Sequence, residues 1–110
     1  MIYIFNTLIV PCNFGSENEF TVRLKKVSRE QVVELLKKNE FTSAVGHQST
    51  AEVLTAILGI QIPMNRIAVK MNVGDVGIHF FLKQRLQEGA VLDKEELEKI
   101  EYDLILSEVS

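Results

Sequence analysis

The chain of 110 residues is 46% hydrophobic and 25% charged, the proportions of one globular domain that can bury a core without disulfides or structural metal. Its single cysteine, Cys12, permits no intrachain disulfide, and two histidines cannot complete a four-ligand site, which excludes a disulfide scaffold or a structural zinc domain. Twelve Lys+Arg against fifteen Asp+Glu leave a net charge of -3, so wrapping of duplex DNA by bulk charge is not expected and only a local anion site remains open.

Met1 to Val10 is apolar on both faces but lacks a basic flank and stops at Pro11, the pattern of a buried strand rather than a signal or membrane span. A soluble, cytoplasmic protein is the expectation. After a loop from Pro11 to Asn18, Phe20, Val22 and Leu24 alternate with Thr21, Arg23 and Lys25 as a half-buried second strand. Ser28 and Gln31 are spaced as a capping box, with Val27 and Val32 as its hydrophobic staple, and Val32, Leu35 and Leu36 form the buried stripe of a helix that stops at Asn39. Phe41 to Val45 is a short extended piece. Ser49 and Glu52 repeat the capping signature ahead of Ala51, Leu54 and Leu58, and Gly59 ends that helix, so His47 sits just before a helix N-terminus. Beyond Pro63, Ile67, Val69 and Met71 alternate as a third strand, Asn72 to Gly77 turn, and Ile78, Phe80 and Leu82 alternate as its hairpin partner. Asp93 with Glu96 caps a short helix through Ile100, and Tyr102 to Val109 closes as a strand. The expected fold is α+β, a single domain over residues 1–110 with a central mixed sheet of about five to six strands flanked by helices.

Gly46-His47-Gln48-Ser49-Thr50 joins an extended piece to a helix start, where free amides and the helix dipole favour an anion and the imidazole can move a proton near neutral pH. In the plainer reading Ser49 only caps its helix and His47 only bonds a neighbouring carbonyl. Asn65-Arg66 enters the third strand and Gln84-Arg85-Leu86-Gln87-Glu88-Gly89 leaves the fourth, so a hairpin would bring two guanidiniums to one phosphate. Glu88 would orient Arg85 or a histidine, or simply form a surface ion pair with Arg85 worth under about 1 kcal/mol. His79 alternates with core residues and reads as a half-buried structural or an exposed residue. Cys12 has no base beside it, and Lys25, Lys26, Arg29, Lys37 and Lys38, interrupted by Glu30 and Glu34, read as a solvated face.

Asn6 after an apolar strand, Gly46-His47-x-Ser49-Thr50, Asn65-Arg66 and Gln84-Arg85-Leu86-x-Glu88-Gly89 together resemble the viral ring nuclease family, the type III anti-CRISPR proteins of archaeal viruses, which also occur in bacteria and mobile elements. Four motifs in register cover nearly the whole chain. The resemblance implies a single ring-nuclease-like domain that opens cyclic tetra-adenylate, the messenger of type III CRISPR complexes, without metal or cofactor. It also implies a homodimer with the ligand across its twofold axis. His47, Arg85 and Glu88 would be catalytic: His47 as general acid on the departing 5′-oxygen, Arg85 at the phosphate, Glu88 orienting His47 or Arg85. Asn6, Ile9, Gly46, Ser49, Thr50, Arg66 and Gln84 would line the ligand.

The chain departs from the family pattern at two positions. Archaeal viral members carry a serine three residues after the motif asparagine, where this chain has Ile9, and Thr7 or Asn13 are the candidates to replace it. An acidic residue often follows the histidine, where this chain has Gln48. Ile9 motivates a rival class of function, a non-catalytic dimer that binds a cyclic nucleotide or a protein partner. The acidic charge balance is equally that of a structural dimer with no nucleotide ligand.

Overall fold

In the computed structural model, which describes residues 1–83 and 99–110, the apolar N-terminal run becomes the interior of a five-stranded sheet. β1 (Ile2–Phe5) lies between β3 (Phe41–Ala44) and β4 (Val76–Leu82) and is parallel to both. β4 pairs antiparallel with β5 (Tyr102–Val109), and β5 pairs antiparallel with β2 (Val22–Val27), so the order is β2-β5-β4-β1-β3. The mixed sheet, with five strands, is the expected α+β architecture.

Period-two alternation gives the two faces of this sheet different cover. On one face Ile2, Ile4, Ile78, Phe80 and Leu104 pack against Val32 and Leu36 of α1 (Arg29–Lys38) and Val53, Leu54 and Leu58 of α2 (Gln48–Leu58). On the other, Phe5 and Val109 are buried under Met71, with Val10, Cys12, Phe20 and Val69 around them, so among the described residues irregular chain covers this side. Two straps hold that cover together: the Asn13 amide donates to the Met71 carbonyl at 2.8 Å and the Met71 amide to the Pro11 carbonyl at 2.7 Å.

α1 starts as its sequence requires. The Ser28 hydroxyl accepts from the Gln31 amide at 3.1 Å, and the Gln31 side chain accepts from the Ser28 amide at 2.8 Å. Asn39 ends the helix by donating its side-chain amide to the Leu35 carbonyl. Ser28→Ala removes one half of this reciprocal cap and is expected to cost about 1 kcal/mol, a fall in Tm of roughly 4–8 °C in a thermal melt.

Several expectations need correction. β1 ends at Phe5, because the chain bends at Asn6 to Leu8 and leaves Leu8 and Ile9 exposed. Residues 61–70 hold no strand: β4 already has β1 and β5 as neighbours, and of the alternating Ile67, Val69 and Met71 only Met71 is buried, Val69 is partly so and Ile67 is exposed, while Met71 makes only an isolated bridge to Cys12. The hairpin expected between residues 67–71 and 78–82 is therefore absent, and β4 begins at Val76, inside the expected turn. β2 is an edge strand with Arg23, Leu24, Lys25 and Lys26 exposed rather than half-buried, and its charges protect that edge from further pairing. The helix expected from Asp93 lies almost wholly outside the described residues.

Candidate functional site

Because β1, β3 and β4 run the same way, their carboxyl ends open on one edge of the sheet, where open α/β sheets characteristically bind ligands. Asn6 follows β1 there, and Val45, Gly46 and His47 follow β3 into α2. The chain from Pro63 to Arg66 is stapled across the end of β3. Ser43 Oγ donates to the Pro63 carbonyl at 2.6 Å, Asn65 Nδ2 to the Ser43 carbonyl at 2.8 Å, and the Asn65 amide to the Val45 carbonyl at 2.7 Å. These bonds deliver Arg66, whose Nε donates to the Gly46 carbonyl at 2.7 Å while its stem lies over the glycine. From the other side Asn6 Oδ1 accepts a long, 3.5 Å hydrogen bond from the Gly46 amide.

α2 departs from its expected start. It begins at Gln48 with His47 as the N-cap, in extended backbone, and Ser49 lies inside the first turn rather than capping it. The His47 carbonyl accepts the first helical bond from Ala51 at 3.1 Å, but the His47 side chain makes no cap bond, and among the described residues no side chain caps the amides of Gln48, Ser49 and Thr50. α1, by contrast, is fully capped. The first turn of α2 therefore presents amides with the positive end of a helix dipole, beside an exposed imidazole and an exposed guanidinium. An open cleft of about 620 Å³ starts at Gln48 and Glu52 and runs along Thr55, Gln61, Ile62 and Met64.

The structure thus brings Asn6, Gly46, His47 and Arg66 together, with Ser49 and Thr50 in the adjoining turn. Ile9 stands exposed on the bend that follows Asn6. Gln84, Arg85 and Glu88 lie outside the described residues. Arg66 reaches the site by the Ser43 and Asn65 staples and not through a hairpin, a route that the sequence pattern did not signal. The basic residues near α1 are largely a solvated face, as expected: Lys38 pairs with Glu34 at 2.7 Å and Lys26 with Asp103 at 3.1 Å, while Arg29 donates to the Ile57 carbonyl.

His79 is neither exposed nor half-buried; its residue accessibility is 0%. Nδ1 lies 3.1 Å from the Thr7 carbonyl and Nε2 2.7 Å from Ser107 Oγ, and the ring stacks on Phe5 at 5.0 Å. A carbonyl only accepts, so Nδ1 carries the proton and Nε2 accepts from the serine hydroxyl. This Ser–His contact has the spacing of an activated nucleophile, but Ser107 is as inaccessible as His79 and cannot meet a substrate. Burial holds the imidazole below its ordinary pKa, the Thr7 bond opposing this more weakly. The unfolded chain then binds the extra proton at higher pH than the native chain does. The contribution of His79 to stability is complete above the ordinary imidazole value of about 6.5 and is lost as pH falls below it. Urea unfolding is expected to show stability dropping from pH 7.5 toward pH 5.5, with this slope absent in His79→Asn. Asp103, held below its usual value chiefly by its hydrogen bond to Lys26, acts only in a lower window, as pH falls below the ordinary carboxylate value.

Among the described residues no three His, Cys, Asp or Glu side chains are grouped to hold a metal ion, and no helix is long and apolar enough to cross a membrane. Comparison with known families gives a match to the family described as STIV B116-like over residues 2–104. The chain belongs to the STIV B116-like family. Its relatives include protein 26 of Sulfolobus islandicus filamentous virus, 43% identical over 99% of this chain and 92% of that one. ORF117 of Acidianus two-tailed virus is 40% identical over 94% of this chain and 89% of its own length, and a bacterial relative, YddF of Bacillus subtilis, is 33% identical over 76% and 80%. The solved structure of B116 of Sulfolobus turreted icosahedral virus superposes with a TM-score of 0.75 at 27% identity, covering 97% of each chain. This chain is therefore similar to proteins of viruses and of a bacterium.

Proposed function

We propose that this protein is a metal-independent ring nuclease that opens cyclic tetra-adenylate and so antagonises type III CRISPR signalling in the host cytoplasm. The observation that carries this reading is the exposed His47 at the N-terminus of α2, which no side chain among the described residues caps, flanked by Arg66 and Asn6 on Gly46. The substrate brings its own nucleophile, since the 2′-hydroxyl of each adenosine attacks the adjacent phosphate when held in line. The new O2′–P bond forms as the P–O5′ bond breaks; the 2′-hydroxyl gives up its proton to solvent water, and His47 as general acid gives a proton to the departing 5′-oxygen. Arg66 and the amides of the first turn of α2 receive the charge on the non-bridging oxygens. The resemblance adds Arg85 to that charge and Glu88 to the orientation of His47 or Arg85. Two such cleavages give linear di-adenylates with a 2′,3′-cyclic phosphate and a 5′-hydroxyl.

A homodimer fits this chemistry, because an isologous pair presents the same residues to opposite phosphates of a symmetric ring. The face of the sheet opposite α1 and α2 supports a second copy: Leu24 and Phe81 are exposed on it, beside the partly buried Ile105. The exposed Ile9 favours the second reading, a dimer that binds the nucleotide without cutting it.

The test is a single-turnover assay with protein in excess over labelled cyclic tetra-adenylate, in EDTA, with cyclic hexa-adenylate as control. Cleavage of the tetra-adenylate ring to products ending in 2′,3′-cyclic phosphate supports the nuclease. Tight binding with an intact ring selects the non-catalytic binder. Neither binding nor cleavage removes the nucleotide from the reading altogether.

A further inference from the structure

The bend after β1 carries Asn6 to the site, yet both Leu8 and Ile9 on it are exposed, so apolar packing does little to hold it. Among the described residues, one backbone acceptor closes the bend. The Thr7 carbonyl takes the Ile9 amide at 3.1 Å and His79 Nδ1 at 3.1 Å. The first bond is local and would travel with the loop, whereas the second ties the loop to the interior of β4.

His79 is in turn fixed from three directions. Phe5 stacks on its ring with an interplanar angle of 9°. Ser107, on the neighbouring strand β5, occupies Nε2. Below it Gly77 leaves the space the pair needs: a Cβ there would come within 2.6 Å of His79 Nε2 and 2.5 Å of Ser107 Oγ. A ring so confined can hold the Thr7 carbonyl in one position, and Asn6 Oδ1 then meets the Gly46 amide.

Resting on the site reading above, we propose that His79 is a positioning residue: through Nδ1 and the Thr7 carbonyl it sets the bend at Asn6 to Ile9 and thereby the Asn6–Gly46 contact beside His47. His79 does not touch the substrate. Its role is to keep the bend in one geometry when a ligand arrives, so that binding does not have to order it.

Two substitutions separate this role from bulk packing. His79→Asn keeps a side-chain N–H close to the Nδ1 position and so retains the Thr7 bond, while His79→Gln reaches toward the Nε2 position and retains only the Ser107 contact. Amide hydrogen exchange at Ile9 and Gly46 reads the bend directly. Loss of one hydrogen bond predicts exchange about two- to tenfold faster in His79→Gln, with near-native exchange in His79→Asn. Single-turnover ring opening is expected to follow the same order, slow with Gln and restored with Asn. Ser107→Ala, which spares the Thr7 bond, is expected to lower Tm without speeding exchange at Ile9, and this controls for general destabilisation. Equal exchange in the Asn and Gln variants, or release of the bend by Ser107→Ala, would overturn the proposal. Should the wild type leave the ring intact, the nuclease reading fails on its own, and the exchange pattern still decides whether His79 sets the bend.

Discussion

His47→Ala is expected to slow opening of cyclic tetra-adenylate by about 10²- to 10⁴-fold in single turnover, the range contributed by a positioned general acid. Affinity should change little, because the phosphate grip assigned to Arg66 and the amides of α2 does not use the imidazole. Stability should also hold: the ring is exposed, and His47 caps α2 through its backbone carbonyl, which alanine retains. The role can be isolated chemically. With sulfur in place of the bridging 5′-oxygen, the leaving group departs as a thiolate without needing a proton, so the variant should recover most of its deficit on that substrate. A variant that cuts the natural ring at the wild-type rate would remove His47 from the mechanism.

Phe80→Ala should have the largest effect on the fold. Phe80 is 1% exposed at the centre of the helix-covered face, is paired with Leu104 across β4 and β5, and lies 5.4 Å from the Tyr102 ring. Removing a buried phenylalanine forfeits its transfer energy and leaves a cavity between strands and helices that cannot close fully, a loss of about 3–5 kcal/mol. For a domain of this size that lowers Tm by at least about 12 °C, readable by calorimetry. The adjacent Phe81, 42% exposed on the opposite face, is the internal control. Phe81→Ala should move the Tm of the single chain little. In a dimer that covers this face it should instead weaken association, which sedimentation would detect.

How much of this could be read from the residues depended on distance along the chain. The capping box at Ser28 was legible because all its partners lie within one turn, and β5 because the apolar run Leu104, Ile105 and Leu106 sits within one continuous stretch. The same spelling at Ser49 misleads about the cap: Arg66 holds the Gly46 carbonyl and Asn6 its amide, so distant contacts bring the chain into α2 with His47 as the cap. Ile67, Val69 and Met71 show that alternation guarantees neither a ladder partner nor burial, since Ile67 is exposed and the segment pairs with no strand. His79 was misjudged for a similar reason, since nothing local says that Thr7 folds over it. Asn6, Gly46, His47 and Arg66 were visible as motif residues, whereas Ser43 and Asn65, which brace Arg66, become meaningful only once β3 and the Pro63 segment are side by side.

The placement of β1 also bears on how the protein is made. β1 precedes both of its parallel neighbours along the chain, so during synthesis Ile2 must wait for Phe41 on one side and Val76 on the other. Until then its apolar side chains have no native cover, and the growing chain cannot assemble its sheet in order of synthesis. Such remote pairings slow folding and lengthen the time during which a nascent chain can associate wrongly. Yield during expression should therefore respond more strongly to chaperones and to translation rate than the stability of the finished domain would suggest.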